Sequence, residues 1–527
     1  MMHLWSAFAQ DDIHVNSRLT LTAGVRWAYQ GPLTDRFNAL TRGFCETCAS
    51  PLVVPGMNLH GGLEFAGVGD NPRGITNPHH GNIAPRFSFA YRFGNNMVVR
   101  GGYGMIYSQA WQNPGAAPGF DQQTNILSPV QEGIPATDLT NPFPNGILTP
   151  VGSAGGLATA IGQSISFTDP NANIPRIHQY SLSIQRQLGQ NFLASATYMG
   201  SYMTRLPVSR NLNYLPLSAL ALGSSALTAS VPNPMAAAQS QPENAPYLDV
   251  LNGTYLNAAT VQAQQLLVPY PQFKINGVTE NYLPIGKAKY NALWLDLQKR
   301  MSHGLDFDVN FSWSKTMQDV DFLNPTDPAP SWFLSAYDSP AQLKFSGVWQ
   351  LPLGRGHRFA NTSNPVLNRV VSGWMVSGTS RWQAGFPTPF PRGVAPTGGS
   401  VIASNQNRSR WFNTCTLLAN GSTTNCLSGE NPAWVILKPY QLTEWSPYLP
   451  NLRGPNGLQT HISLAKDTTI KEQYRLQFRA DFTNAFNHPD WAYTGVNNLA
   501  TSGTFGQYPV NQSNNPRIIM MSLQLFF

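Results

Sequence analysis

The chain has 527 residues and a net charge of +7, with 11 % charged and 42 % hydrophobic residues. Soluble globular proteins carry roughly 25 % charged residues, so this composition argues against a compact enzyme with one oily core and suits a protein between lipid and water. The basic residues are scattered singly, which excludes a nucleic-acid footprint, and no apolar run reaches the ~18 residues of a transmembrane helix.

Read in chain order, the informative signal is period-two alternation, which puts successive side chains on opposite faces of a strand. The first paired segments are 4–13 and 19–29; Leu19, Leu21, Ala23, Val25, Trp27 and Tyr29 oppose Thr20, Thr22, Gly24 and Arg26. Segments 83–93 and 97–108 follow, with Phe87, Phe89, Tyr91 and Phe93 opposite Arg86, Ser88 and Arg92. Then come 177–188 with 192–202, and 289–300 with 305–314. In the last of these Leu305, Phe307, Val309, Phe311 and Trp313 oppose Asp306, Asp308, Asn310, Ser312 and Ser314. The pairs 341–351 with 373–382 and 458–466 with 474–482 precede a last strand, 516–527. Each segment is near the ~10 residues that a tilted strand needs to cross a bilayer.

Alternation also occurs in soluble sandwiches, so two further features decide. Apolar faces end in aromatics (Trp27, Tyr29, Phe93, Trp313), as an interfacial girdle requires. Pairs close on short turns such as Asn16-Ser17 and Gly94-Asn95-Asn96, whereas long Pro/Gly-rich stretches separate the pairs: 31–82, 109–174, 203–288, 315–340, 383–457 and 483–514. Short periplasmic turns alternating with long extracellular loops are the outer-membrane pattern. The expected fold is therefore all-β: an antiparallel transmembrane β-barrel meander of about 13 strands with long extracellular loops. Ile519, Met521, Leu523, Leu525 and Phe527 share one face of the last strand, which stops on the aromatic itself. This ending resembles the terminal signature that bacterial barrel-assembly machinery recognises.

Several segments together resemble the Oar-like TonB-dependent transporters: FAQDDIHVNSRLTLTAGVRW (8–27), NIAPRFSFAYRFG (82–94), VVRGGYGMIY (98–107), YNALWLDLQKRMSHGLDF (290–307), LPLGRGHRF (351–359), LRGPNGLQ (452–459) and LQFRADFTNAFNHPDW (476–491). The resemblance implies a barrel of about 22 strands closed by a plug, an export signal, often an N-terminal sandwich module, and energy coupling through TonB. None of those N-terminal parts is recognisable. Residues 1–527 are thus expected to be the C-terminal part of the barrel domain. A strand count that is odd and runs inward from residue 4 implies an open or gapped wall for this chain alone.

Chemical motifs are sparse. Cys45 and Cys48 lie in one long loop and Cys415 and Cys426 in another; the readings are two local disulfides in an exported protein, free thiols, or zinc, with disulfides preferred. His79-His80 has no third ligand at metal spacing. Arg100-Gly-Gly-Tyr-Gly104 is not followed by a helix and suits close strand approach rather than phosphate binding. Asp296, Asp306 and Asp308 are expected to pair with lumen arginines such as Arg86, Arg100, Arg475 or Arg479. No nucleophile elbow, Walker loop or HExxH occurs, so no catalytic residue, metal or cofactor is expected.

The expected role is uptake of a large nutrient through the outer membrane. Its partners would be outer-membrane lipid, the barrel-assembly machinery, an unidentified nutrient ligand, and the TonB system if a plug is supplied upstream. A surface adhesin acting through its loops and a soluble glycan-active all-β protein are the alternatives. Lipid-facing charge near an interface costs only about 0–1 kcal/mol. Phe527→Lys should therefore leave the finished fold nearly as stable but sharply lower the amount of protein in the membrane, measured by fractionation and immunoblot. Normal membrane levels would count against an assembly role for Phe527.

Overall fold

The computed structural model describes residues 2–108, 117–121, 124, 140–143, 146–247, 255–471, 474–491, 495–508 and 512–527. Parts of the expected loops 109–174, 203–288 and 483–514 lie outside these residues.

Thirteen antiparallel strands form one wall: β1 Leu4–His14, β2 Leu19–Gln30, β3 His79–Phe93, β4 Met97–Tyr107, β5 Arg176–Leu188, β6 Phe192–Asn211 and β7 Val278–Ser302. They continue as β8 Leu305–Asp319, β9 Ala341–Gln350, β10 Trp374–Gln383, β11 Gly457–Lys471, β12 Tyr474–Thr483 and β13 Ile518–Phe526. Spatial order equals chain order, and among the described residues no pairing joins β1 to β13, so the wall is open.

Local chemistry sets the hairpins. Asn16 Oδ1 accepts from the Arg18 and Leu19 amides (2.8 and 3.0 Å), adding a side-chain closure to the backbone bond from Val15 N to Leu19 O (3.0 Å). Register then carries the alternation from strand to strand, because directly opposed residues share a face. Leu21 opposes Phe89, Phe89 opposes Gly101, Ala196 opposes Leu295, Leu295 opposes Phe311, and Phe311 opposes Leu343. One slip would invert a strand; the observed pairing keeps the apolar set continuous. Gly101 leaves room for a ring, since a Cβ there would lie 2.4 Å from Phe89 Cε1. The apolar face is unburied by protein: Trp313 is 63 % and Met521 70 % exposed.

Two features differ from the sequence reading. Strands β6 and β7, expected to be about ten residues, run to 20 and 25. Their far halves extend beyond the neighbouring strands, where the short strand Ile165–Thr168 pairs parallel with β7. The long loops are also not structureless. One group packs the hairpin Thr41–Ala49/His60–Phe65 with later loop segments around Phe44, Leu63, Ile161, Met235, Phe273 and Val278. A second packs Val394, Phe412, Trp434, Leu449, Phe505 and Tyr508 together.

With little regular structure in these modules, buried amides satisfy the backbone. Asn213 Nδ2 donates to the carbonyls of Tyr270, Phe273 and Lys274 (3.0, 3.1 and 2.9 Å), while its Oδ1 accepts from Tyr270 N (2.9 Å). Asn244 likewise exchanges hydrogen bonds with Val53 N and O (2.9 and 2.7 Å), pinning chain 191 residues away.

The long connection between β9 and β10 ends at Gly373, whose φ is +77° and whose Cβ, if present, would sit 2.2 Å from Asp467 O. Both the left-handed backbone and the close approach exclude a side chain. Gly373→Ala is expected to destabilise the wall by about 2–4 kcal/mol, read as a lowered denaturation midpoint in detergent; an unchanged midpoint would contradict the assignment.

Candidate functional site

The polar face of the wall carries a ladder of short-range pairs. Thr22 Oγ1 donates to Asp12 (2.6 Å), Arg26 to Ser6 Oγ (3.3 Å) and Arg86 to Gln10 Oε1 (3.3 Å). At the other end Arg479 Nε donates to Asp481 (2.8 Å), and Arg475 lies 3.9 Å from Asp467. The partners stand on the same strand, on adjacent strands or, for Arg86 and Gln10, one strand further apart across Gly24, because side chains on one face of a strand wall reach only near neighbours. For that reason the expected pairing of Asp296, Asp306 and Asp308 with Arg86, Arg100, Arg475 or Arg479 does not form: those arginines stand on strands several places away. Asp296 instead opposes Asn310 across the β7–β8 pair. Asp306, Ser346, Thr379, His461, Arg479 and Asp481 share a polar groove of about 560 Å³.

The remaining sequence candidates sit apart from one another. Cys45 and Cys48 are joined within the Thr41–Ala49 strand, and Cys415 and Cys426 are joined across a small loop hairpin. His79 Nε2 contacts Ala172 O at 3.1 Å, and His80 stacks on Tyr29 at 4.7 Å, so both imidazoles are engaged in loop packing. Ile519, Met521, Leu523 and Leu525 oppose Phe482, Ala480, Phe478 and Leu476, which places them together on the apolar face.

A cleft in the extracellular loops was not legible in the sequence. It holds about 570 Å³ and is lined by Phe322, Phe333, Phe390, Trp445 and Tyr448, with Asp321 and Arg392 among them. Its residues come from the segments after β8, between β10 and β11 and, through Asn498, between β12 and β13, and Phe333 pairs directly with Gln318 of β8. Phe390 stacks on Trp445 (centroids 5.3 Å, 28°) and meets Trp434 edge-on (5.4 Å). Partial burial pushes the Asp321 carboxyl up, and burial with the nearby Asp321 charge raises the Tyr448 phenol. An aromatic cleft interspersed with polar groups such as Asp321, Arg392, Thr443 and Asn498 can stack a sugar face or a planar ring while fixing its orientation. Beneath it, Asp338 accepts from Arg453 Nη2 (2.7 Å) and from Thr316 N (2.6 Å), tying the loop to β8.

A second polar cluster lies where β6 and β7 leave the wall. Glu280 opposes Arg210 across the strand pair. Glu46 accepts from Tyr270 Oη (3.2 Å), and the Asp169 amide donates to Asn281 O (2.9 Å). Burial, reinforced by the Asp169 and Glu46 charges and opposed by Arg210, pushes the Glu280 carboxyl up to about 7.

Residues 1–520 match the family profile described as outer membrane beta barrel domain. The chain belongs to this family. Its wall is therefore an outer-membrane barrel wall, with the apolar face toward lipid, the polar face toward the lumen and the long loops extracellular. No curated protein matches the sequence. Among solved structures it is similar to the outer membrane transporter YddB from Escherichia coli, with 11 % identity, TM-score 0.41, and coverage of 99 % of this chain and 45 % of that one. Another is the ferripyoverdine receptor of Pseudomonas aeruginosa (10 %, 0.39, 100 % and 38 %). A third is the ferric-catecholate import receptor Fiu from E. coli K12 (8 %, 0.37, 100 % and 44 %). The barrel chain spans less than half the length of each of these structures.

The Glu280 cluster makes loop stability depend on pH. A carboxyl with an ordinary value of 4.5 that keeps its proton up to about 7 when folded means the folded state binds more protons between those values. Stability is then fullest below about 4.5 and falls as pH rises toward 7. The melting temperature of the loop transition should drop between pH 5 and 8, and Glu280→Gln should flatten that slope. Parallel pH profiles for the two proteins would refute the coupling.

Proposed function

We propose that this barrel is the wall of a receptor-type transporter of the Oar-like, TonB-dependent class. It would collect a ligand in its extracellular loops and pass it along a polar lumen. The observation that carries the reading is the aromatic cleft of about 570 Å³, built at the extracellular ends of β8 to β11 beside a lumen face of paired charges. Loops that only shielded the barrel would gain nothing from half-buried aromatics arranged around an open space. A cleft of this kind concentrates a ligand by ring stacking, and the charged ladder leaves a wettable path below it.

In this reading the protein moves a solute and catalyses no covalent change. Energy would arrive through TonB acting on a plug, and the barrel-assembly machinery would engage the apolar face of β13. The two disulfides and the buried amides keep the collecting loops in one arrangement, so ligand binding does not have to order them first.

The test is uptake by cells with and without the gene. A panel of labelled ferric chelates, oligosaccharides and short peptides is supplied with and without a protonophore. Accumulation of one class should fall at least tenfold on deletion and on uncoupling. Trp445→Ala should raise the half-saturating concentration about tenfold, the value of one lost stacking contact of ~1.4 kcal/mol. Accumulation of every class unchanged by deletion would overturn the reading.

A further inference from the structure

We propose that the long periplasmic connection between β9 and β10 is an interfacial foot, seating helix Pro365–Val371 in the phospholipid leaflet beside the barrel. It is independent of the transport reading and rests on the placement of the wall in the outer membrane.

The helix is short but well defined. Asn364 caps it, its Oδ1 accepting from Val366 N (2.9 Å) and Leu367 N (3.2 Å), and Pro365 occupies the first turn. Three of its apolar side chains are left largely uncovered: Val366 is 73 %, Leu367 50 % and Val370 58 % exposed. At 100° per residue these three fall within one stripe about 100° wide. Three unpartnered aliphatic side chains on one helical stripe need an apolar medium.

The helix is also fixed to the lipid side of the wall. Trp374 and Lys466 are direct cross-strand partners, and the register places them on the same face as Val376 and Leu464 two residues on. Trp374 Nε1 donates to Val370 O (3.0 Å). Lys466 Nζ donates to Arg369 O and Ser372 O, both at 2.7 Å, and lies 5.5 Å from the Trp374 ring. Two lipid-facing residues thus hold the carbonyl end of the helix against the outer surface of the barrel, so its exposed stripe continues the lipid-contacting belt.

Charge identifies the medium as a headgroup region rather than a second apolar protein face. Segment 351–374 contains Arg355, Arg358, Arg369 and His357 and no acidic residue. The three arginines are exposed, and the Arg355 amide donates to Asn368 Oδ1 (2.6 Å), tying the basic turn to the helix. Guanidinium groups flanking an apolar stripe match phosphodiesters above acyl chains. Phe359 in the same connection is exposed as well, with the Arg358 guanidinium 5.5 Å from its ring.

The experiment uses nitroxide labels on the full chain in phosphatidylethanolamine–phosphatidylglycerol vesicles, with Leu523→Cys as the lipid reference and Gln190→Cys, in another periplasmic turn, as the aqueous one. Label at Val370→Cys should collide with oxygen at least fivefold more than with a water-soluble nickel chelate, as at 523. Accessibility to the chelate equal to that at 190 would overturn the proposal. The triple change Arg355→Gln, Arg358→Gln, Arg369→Gln should move the 370 label toward water by at least twofold in the same ratio; an unchanged ratio would overturn the headgroup contact and with it the foot as stated.

Discussion

Everything in this protein follows from the need to satisfy backbone hydrogen bonds where there is no water. In hydrocarbon each unpaired N–H or C=O costs several kcal/mol, and an antiparallel ladder is one of the few ways to pair them all between segments. The thirteen-strand meander does this with nearest-neighbour pairing for every inner strand, while β1 and β13 are each paired on one side only among the described residues. The same ladder propagates side-chain alternation, so the hydrogen bonds that satisfy the backbone also sort apolar from polar residues. Lipid contact and a polar lumen are two consequences of one pairing scheme.

Outside the bilayer the constraint changes, and so does the solution. The loops have water on one side and a conventional core on the other, with Phe273, Phe412 and Trp434 fully buried. Their irregular backbone is satisfied by side-chain amides such as Asn213, Asn233 and Asn244 beside short local ladders. Strands β6 and β7 serve both regimes: their inner halves are wall, and their outer halves scaffold the first loop module. That continuity gives the loops a rigid base, and a rigid base lets an open aromatic cleft persist without collapsing on itself.

The periplasmic side shows the opposite economy. Most turns there are short and polar, and the connection between β9 and β10 stands out by carrying a capped helix and an arginine cluster.

Membrane class, strand number and facing were legible in the sequence because each depends only on neighbours two residues apart. Period-two alternation such as Leu305 to Trp313 states which side chains share a face, and turn residues such as Asn16 state where the chain reverses. Strand starts were nearly all within a few residues of those observed. Other features depended on distant partners and were not legible. The extensions of β6 and β7 arise from contacts with loop segments far away in sequence, and no local pattern announces them. The aromatic cleft joins Phe322, Phe390 and Trp445 from three separate stretches, each an unremarkable loop residue on its own. The aspartates of β7 and β8 were given the wrong partners because composition counts charges, whereas on a strand wall only side chains within a strand or two of each other can meet. Alternation is local physics and can be read directly; loop packing is a many-body result of long-range closure, and only the folded chain decides it.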